Sequence, residues 1–133
     1  MLKSSKNAIG ILGGSFDPPH KGHVKISIIS QKKIKLKKII WIIAKKNPFK
    51  KKTFFSLKQR IHKSKKISSK CKNIKVLSLD DIIKSSRMIN VINYLRKTKN
   101  QNDLYLILGS DNLLNFHKWK SWKKIVKLTK LVV

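Results

Sequence analysis

Short apolar runs recur along this chain of 133 residues and predict the strands of a sheet. Most of these runs are apolar at every position, which is typical of strands that are covered on both faces. The predicted strands are residues 8–13, 39–44, 74–79 and 104–108, with a fifth that begins at 131. Gly14 and the two prolines at 18 and 19 end the first strand.

Between the apolar runs, apolar residues recur at the spacing of a helix. From about His20 to Lys33 the expected buried positions are Val24, Ile28 and Ile29. Further helices are predicted from Ser56 as an N-cap to about 67, at 88–97 and at 119–128. Because strands and helices alternate, the pattern predicts an α/β fold with a mostly parallel sheet and right-handed crossovers.

Composition adds a large positive charge to this picture without pointing to a partner. The chain has 33 basic and five acidic residues, for a formal net charge of +28, and 30 of the basic residues are lysine. Base readout and bidentate phosphate recognition favour arginine, and the lysines are spread along the whole chain. We therefore expect nonspecific adhesion to polyanions at low salt, not specific nucleic-acid recognition.

The remaining composition suits one domain of a cytoplasmic protein. Hydrophobic residues make up 41% of the chain, which is enough for a packed core, and no apolar run reaches the length of a membrane span. Cys71 is the only cysteine, so an internal disulfide is impossible and a reducing compartment is expected.

The segment Gly13-Gly-Ser-Phe-Asp-Pro-Pro-His-Lys-Gly-His23 is the part of the chain most indicative of chemistry. It follows the first strand and opens the first helix, where backbone N–H groups and the helix dipole favour anions. His20 and His23 are three residues apart, so they share a helix face. They are interpreted as donors to a polyphosphate, and the alternatives are metal ligands with Asp17 or structural helix caps.

This segment resembles the first motif of the nucleotidylyltransferase superfamily, whose core is (H/T)xGH. Downstream, the G-x-D-x-L…F…W pattern of its nicotinate-nucleotide adenylyltransferases is met by Gly109, Asp111, Leu113, Phe116 and Trp119. Two further features fit the same family: the loop that begins at Lys46, and Arg60 in the helix that follows. The similarity runs from about Ile9 to Val133. The resemblance implies a Rossmann-like, three-layer fold.

The resemblance also implies a reaction, in which the phosphate of nicotinate mononucleotide attacks the α-phosphate of ATP. The products are deamido-NAD and pyrophosphate, Mg²⁺ bridges the ATP phosphates, and no protein metal ligand is expected. By the same resemblance the catalytic residues are His20 and His23. The implied ATP site comprises Gly13, Gly14, Ser15, Phe16, His20, Gly22, His23, Lys50, Gly109 and Asp111. The implied mononucleotide site comprises Asn47, Met88 and Trp119.

Several of these residues have a structural interpretation that the sequence leaves open. Trp119 is expected to stack on the pyridine ring but could pack in the core, as is expected for Trp122. Asp111 could simply cap a short helix. Asp80 and Asp81 are expected to be solvated carboxylates at the end of a strand.

The family also carries an Ile-Ser-x-Thr-x-x-Arg motif near its C-terminus, which these residues do not contain. We therefore expect one nucleotidylyltransferase domain over residues 1–133 that is truncated and has weak or no activity. Two other hypotheses stay open. One is an enzyme like phosphopantetheine adenylyltransferase, which shares the first motif, and the other is a basic nucleic-acid-binding or inactive remnant protein.

Overall fold

The structure is a computed structural model that describes residues 7–46, 52–98 and 103–133. Its strands are Ile9–Gly14 (β1), Lys38–Ile43 (β2), Ile74–Leu77 (β3), Leu104–Ile107 (β4) and Lys130–Val132 (β5). Its helices are Lys21–Ile34 (α1), Leu57–Ser68 (α2), Asp80–Ile83 (α3), Met88–Thr98 (α4), Ser110–Leu114 (α5) and Trp122–Leu128 (α6), with a 3-10 turn at Phe116–Lys118.

The five strands form one sheet in the order β3-β2-β1-β4-β5, and every pair is parallel. The chain builds outward from β1 through β2 to β3, then crosses to the other side of β1 to form β4 and β5. The strand order therefore reverses between β1 and β4, and ligands of open α/β sheets bind at the carboxyl ends of the strands beside such a reversal. The predicted α/β class with a parallel sheet is confirmed.

Two apolar clusters, one on each face of the sheet, make the molecule three layers thick. On one face Ile40 and Ile42 of β2 pack with residues of α4 and α6. On the other face Trp41 and Ile43 of the same strand pack with residues of α1 and α2. Alternate side chains of β2 thus enter opposite clusters, which explains why this run is apolar at every position.

The face of α1 that meets the sheet differs from the expected one. Val24 packs against the core as predicted, but Ile28 and Ile29 are exposed at 37% and 44%. The buried residues of the helix are Ser27 and Ser30, whose small side chains allow a close approach to the sheet. The prediction assumed that the most hydrophobic residues of the helix face the sheet. Close packing between the helix and the sheet instead favours small side chains at these positions.

Other elements differ from the prediction at particular places. Helix α3 was not predicted, and α5 was considered only as a short helix that Asp111 could cap, because four or five residues are too few to show helical periodicity. The last helix begins at Trp122 and not at 119, since Trp119 is extended and Ser121 is left-handed with φ 57°. None of the helices in the described ranges combines the length and the apolar character that crossing a membrane requires.

Candidate functional site

The loop after β1 crosses the carboxyl edge of the sheet and is held there by its own side chains. Phe16 has a positive φ of 50° and is buried, so its ring enters the core between the loop and β2. Asp17 accepts hydrogen bonds from the backbone N–H groups of Phe54 (2.5 Å) and Phe55 (2.7 Å). These contacts bind the loop to the segment that precedes α2, and they make Asp17 a structural acceptor.

His20 and His23 form a reciprocal cap at the start of α1. His20 Nδ1 accepts from the N–H of Gly22 at 3.1 Å, and His23 Nδ1 accepts from the N–H of His20 at 3.0 Å. The ring centroids lie 4.0 Å apart. The structural alternative for this pair is therefore confirmed: both histidines satisfy backbone donors that a helix start leaves unpaired.

The cap changes which groups are free to bind an anion. The N–H groups of His20, Gly22 and His23 are all bound within the cap, the last to the carbonyl of His20 at 3.0 Å. These three N–H groups therefore differ from the unpaired N–H groups that favour anions at the start of a helix. A neutral imidazole that accepts at Nδ1 carries its proton at Nε2, so each ring offers one N–H donor. Neither Nε2 has a protein partner in the described part of the chain.

A stack of aromatic rings holds His23 in this orientation. Its ring lies 4.4 Å from that of Phe16, which in turn lies 5.1 Å from that of Trp41. The indole N–H of Trp41 donates to Ser27 Oγ at 2.9 Å, and Ser27 Oγ donates to the carbonyl of His23 at 2.8 Å. The indole N–H, the Ser27 hydroxyl and His23 Nδ1 are thus all bound, and the His23 ring has little freedom to turn.

Burial makes His23 a poor base in the folded chain. Desolvation is the larger cause and the neighbouring His20 the smaller one, and together they lower the pKa of His23 from 6.5 to about 4. His23 is therefore neutral at pH 7. In that form it acts as a hydrogen-bond donor through Nε2 and not as a cation.

Gly22 is required by the position of the His20 ring. A Cβ on Gly22 would lie 2.8 Å from Cε1 and 2.9 Å from Nδ1 of that ring, which is closer than atoms approach without a shift. The glycine between the two histidines therefore makes the cap possible. This packing reason is independent of any direct contact between Gly22 and a ligand.

Arg60 supports the loop from beneath. It is 1% exposed and donates to four backbone carbonyls, those of Ser15 (2.9 Å), Ala44 (2.6 Å), Lys45 (3.2 Å) and Phe55 (3.1 Å). One guanidinium thereby joins the ends of β1 and β2 to the start of α2. Burial lowers the pKa of Arg60, but a guanidinium stays charged at any physiological pH.

A cavity of about 200 Å³ opens on the other side of the loop, between β1, the start of α4 and the segment before α6. Gly13, Gly14 and Ser15 line its floor. Its walls include Arg87, Met88 and Trp119, and Met88 packs so closely over Gly13 that a Cβ there would lie 2.4 Å from Met88 Cε. The loop after β1 therefore separates the two histidines from this cavity and borders both.

The two tryptophans differ in their surroundings. Trp119 and Trp122 both pack edge-on against the buried Phe116, with ring centroids 5.2 Å and 6.1 Å away. Both are half-buried against the core, but only Trp119 is among the residues that line the cavity. Stacking of Trp119 on a ring stays a prediction, and core packing of Trp122 is confirmed.

Asp80 has a structural role that the sequence analysis missed. It was expected to be solvated, but it accepts from the hydroxyl of Ser86 and from the N–H of Lys45 (3.1 Å). Ser86 also accepts from the N–H of Lys46 at 3.3 Å. These bonds tie the loop after β2 to the wall of the cavity, and only Asp81, 3.4 Å from Lys45 Nζ, is solvated as expected.

Gly109 and Asp111 lie after β4, at the same carboxyl edge. Gly109 is the N-cap of α5, and Asp111 lies in the first turn of that helix without a capping hydrogen bond. Its carboxylate turns back over Gly109, where a Cβ would lie 2.7 Å from Oδ1. The alternative that Asp111 caps a short helix is therefore wrong, because its side chain makes no capping hydrogen bond, although Asp111 does lie at the start of such a helix.

Asn47 and Lys50, which were expected in the mononucleotide and ATP sites, lie outside the described residues. Within residues 7–46, 52–98 and 103–133, no group of three or more His, Cys, Asp or Glu side chains is placed to hold a metal ion. The described residues thus offer two imidazole N–H donors for an anion and a cavity that could hold a ring, but no group of side chains placed to bind a metal ion.

Comparisons with known proteins agree with this arrangement. The family model described as cytidylyltransferase-like matches residues 11–133. A probable nicotinate-nucleotide adenylyltransferase of Pelagibacter ubique is 49% identical over 132 residues, which are 99% of this chain and 73% of that protein. A protein of the same description from a Ruegeria species is 33% identical over 90% of this chain and 62% of its own length.

Solved structures show the same fold. The putative nicotinate-nucleotide adenylyltransferase from Vibrio parahaemolyticus superposes with a TM-score of 0.77 at 17% identity, over 95% of this chain and 76% of that one. The nicotinic acid mononucleotide adenylyltransferase of Plasmodium falciparum, complexed with NaAD, gives 0.78 at 19% identity, over 90% and 60%. At these identities the likeness supports the arrangement of strands and helices and does not extend to individual residues.

Proposed function

This chain belongs to the cytidylyltransferase-like family and, within it, to the nicotinate-nucleotide adenylyltransferases, and on that premise we propose that it transfers the adenylyl group of ATP to nicotinate mononucleotide. The phosphate of the mononucleotide attacks the α-phosphorus of ATP and the bond to the bridging oxygen breaks. The products are deamido-NAD and pyrophosphate. We propose that the 133 residues contribute one nucleotidylyltransferase domain to this reaction.

The observation that carries the proposal is the pair of Nε2–H donors at the start of α1. The caps commit both Nδ1 atoms as acceptors, so the donors cannot exchange places with them. Donors that are fixed in advance stabilise charge that develops on phosphate oxygens without having to reorient during the reaction. Phosphoryl-type transfer depends mainly on such positioning, and it needs no covalent bond to the enzyme.

The proposed ATP site lies along the loop after β1. His20 and His23 donate to phosphate oxygens, while Arg60 fixes the carbonyl of Ser15 and with it the course of the loop. The remaining members of the proposed site are Gly13, Gly14, Phe16, Gly22, Lys50, Gly109 and Asp111. Of these, Phe16 and Gly22 act through the histidine rings that they contact or accommodate.

The proposed mononucleotide site is the cavity across the loop. Trp119 offers an indole for stacking on the pyridine ring, Met88 lines the cavity beside Gly13, and Asn47 is assigned by resemblance. Because Gly13 and Ser15 line this cavity while His20 caps the adjoining helix, the acceptor phosphate can approach the loop that holds ATP.

A divalent metal ion accompanies ATP in nucleotidyltransferases, and we propose Mg²⁺ in this role. Magnesium commonly binds through substrate phosphates and water, with one or two carboxylates at most. This mode of binding is compatible with a site in which the described residues offer no cluster of metal-ligating side chains. The ion therefore enters with the substrate as MgATP, and no step assigned to this chain passes through it.

The proposal can be tested with a variant that keeps the cap acceptors and takes away the imidazole Nε2–H donors, since the amide N–H groups of Asn and Gln start from different positions. Asn is a good N-cap, and Gln fills the N3 position in the capping box of α2, where Ser56 and Gln59 bond reciprocally. His20→Asn with His23→Gln should therefore fold. It should bind ATP about ten- to a hundredfold more weakly for each donor lost, since a charge-assisted hydrogen bond contributes about 1.5–3 kcal/mol.

ATP affinity is measured by calorimetry, and product is identified by mass after incubation with nicotinate mononucleotide. His62→Gln is the matched control, because His62 is exposed on α2 and has no place in the proposed site. Unchanged ATP affinity in the double variant would contradict the proposal. Product formed only with phosphopantetheine would favour the related enzyme, and salt-sensitive DNA or RNA binding without ATP binding would favour a nucleic-acid-binding protein.

A further inference from the structure

The cavity beside Trp119 is surrounded by positive charge. Among the described residues, three with cationic side chains line it, Arg87, Lys118 and Lys120, and none with an acidic side chain does. A cavity with an indole on one wall and cations around it suits a flat ring that carries negative charge. The phosphate of the mononucleotide could pair with one of these cations. A second negative group, attached to the ring, would be needed to pair with another.

Arg87 is free to bind an external anion because the carboxylates of the chain are engaged elsewhere or directed away. The five acidic residues are all aspartates, and four have partners: Asp17 at Phe54 and Phe55, Asp80 at Ser86, Asp81 at Lys45 and Asp103 at Lys130. The fifth, Asp111, turns back over Gly109. Within the described residues, no ion pair includes Arg87.

The backbone at Arg87 is anchored on both sides, which fixes where its side chain begins. Its N–H donates to Ser85 Oγ at 3.0 Å, and its carbonyl accepts from Asn90 (3.1 Å) and Val91 (3.3 Å) at the start of α4. The preceding residue, Ser86, is bonded to Asp80. The guanidinium therefore extends from a rigid rim and not from a mobile loop.

We propose that Arg87 is the specificity-determining residue that selects an acceptor with a carboxylate on its pyridine ring over the corresponding carboxamide. This inference rests on the function proposed above. A guanidinium binds a carboxylate through two parallel N–H···O bonds, whereas it repels the amide hydrogens of a carboxamide and gains no charge attraction from its oxygen. Lys118 and Lys120 supply positive charge to the same cavity but lack this planar fork.

The test compares binding of nicotinate mononucleotide and nicotinamide mononucleotide by calorimetry, in wild type and in Arg87→Gln and Arg87→Lys. Wild type should bind the nicotinate form more tightly. Arg87→Gln should lose about ten- to a hundredfold for the nicotinate form and little for the nicotinamide form. Arg87→Lys should fall between the two, because it keeps the charge and loses the fork.

Arg96→Gln is the matched control, since Arg96 has the same side chain at the opposite end of α4 and does not line the cavity. It should leave both affinities unchanged. Equal weakening of both ligands by Arg87→Gln, or no weakening of either, would overturn the inference while leaving the proposed function intact. If wild type binds neither mononucleotide, the proposed function fails and this inference with it.

Discussion

His23 is expected to make the folded chain sensitive to acid. Its Nδ1 accepts the N–H of His20 and its ring is stacked on Phe16, so protonation at Nδ1 breaks the cap and places a charge in a half-buried position. The pKa of His23 is lowered to about 4 in the folded chain, from the 6.5 that applies when unfolded. The unfolded state therefore binds a proton in a range of pH where the folded state does not.

The sign of the effect follows from this difference. The contribution of His23 is fully present above pH 6.5, declines as the pH falls, and is lost at about pH 4. The two pKa values set an upper limit of about 3 kcal/mol, at about 1.4 kcal/mol for each pH unit. Because the ring is only partly buried, solvent screening reduces the expected contribution to about 1–2 kcal/mol.

The assay is urea unfolding at a series of pH values between 7.5 and 4, on wild type and on His23→Gln. Glutamine keeps the acceptor that the capping box needs, as Gln59 does in α2, but it does not titrate. The free energy of unfolding of the variant should therefore fall less steeply than that of wild type below pH 6.5. The aspartates contribute equally to both proteins, so the difference between the two curves isolates His23.

Two results would refute this reasoning. One is an equally steep loss of stability in His23→Gln, which would place the acid sensitivity elsewhere. The other is a flat wild-type curve, which would mean that the folded chain tolerates a protonated His23. His62→Gln is the matched control, because it makes the same substitution at an exposed histidine outside the cap.

Further predictions concern the supports of the site. Arg60→Met should lower the free energy of unfolding by about 3 kcal/mol. The loss arises because buried carbonyls without a donor cost about 1–3 kcal/mol each, and it is partly offset because a charge is no longer buried. Urea unfolding checks this, with Lys65→Met at an exposed position as the control. Gly22→Ala should displace the His20 ring, which costs about 1 kcal/mol of cap stability and weakens ATP binding measured by calorimetry. An unchanged melting temperature together with unchanged ATP affinity would contradict that expectation. Trp119→Ala should weaken mononucleotide binding and leave ATP affinity unaltered; equal losses for both ligands would instead indicate a structural role.

Much of the fold could be predicted from the sequence because its signals are local. The continuous apolar run in β2 identified a strand covered on both faces, and helical spacing at 88–97 identified α4, whose buried residues include Ile89, Ile92 and Leu95. Ser56 marked the start of α2 through a cap that involves only neighbouring residues. Each of these signals depends on the period of an element or on hydrogen bonds within one turn, and both can be derived from adjacent positions.

Resemblance and local pattern also predicted the candidate site in the loop from Gly13 to His23, which does follow a strand and precede a helix. They did not establish how its histidines are used. Only the structure shows that each Nδ1 is committed to the cap, and that burial, together with the neighbouring His20, lowers the pKa of His23 and keeps it neutral. Trp41 is eighteen residues from His23 along the chain, so no local pattern links them.

The sequence by itself determined which segments become most of the strands and helices, and it predicted which loop would hold an anion. The tertiary structure decided which polar side chains became internal. Hydrophobicity placed Ile28 and Ile29 inside, yet Ser27 lies there, and nothing in the sequence marks Asp80 or Arg60 as the joint between separate loops. The reason is physical: a buried polar group is stable only when distant segments bring it partners, and the convergence of those segments is a property of the folded chain alone.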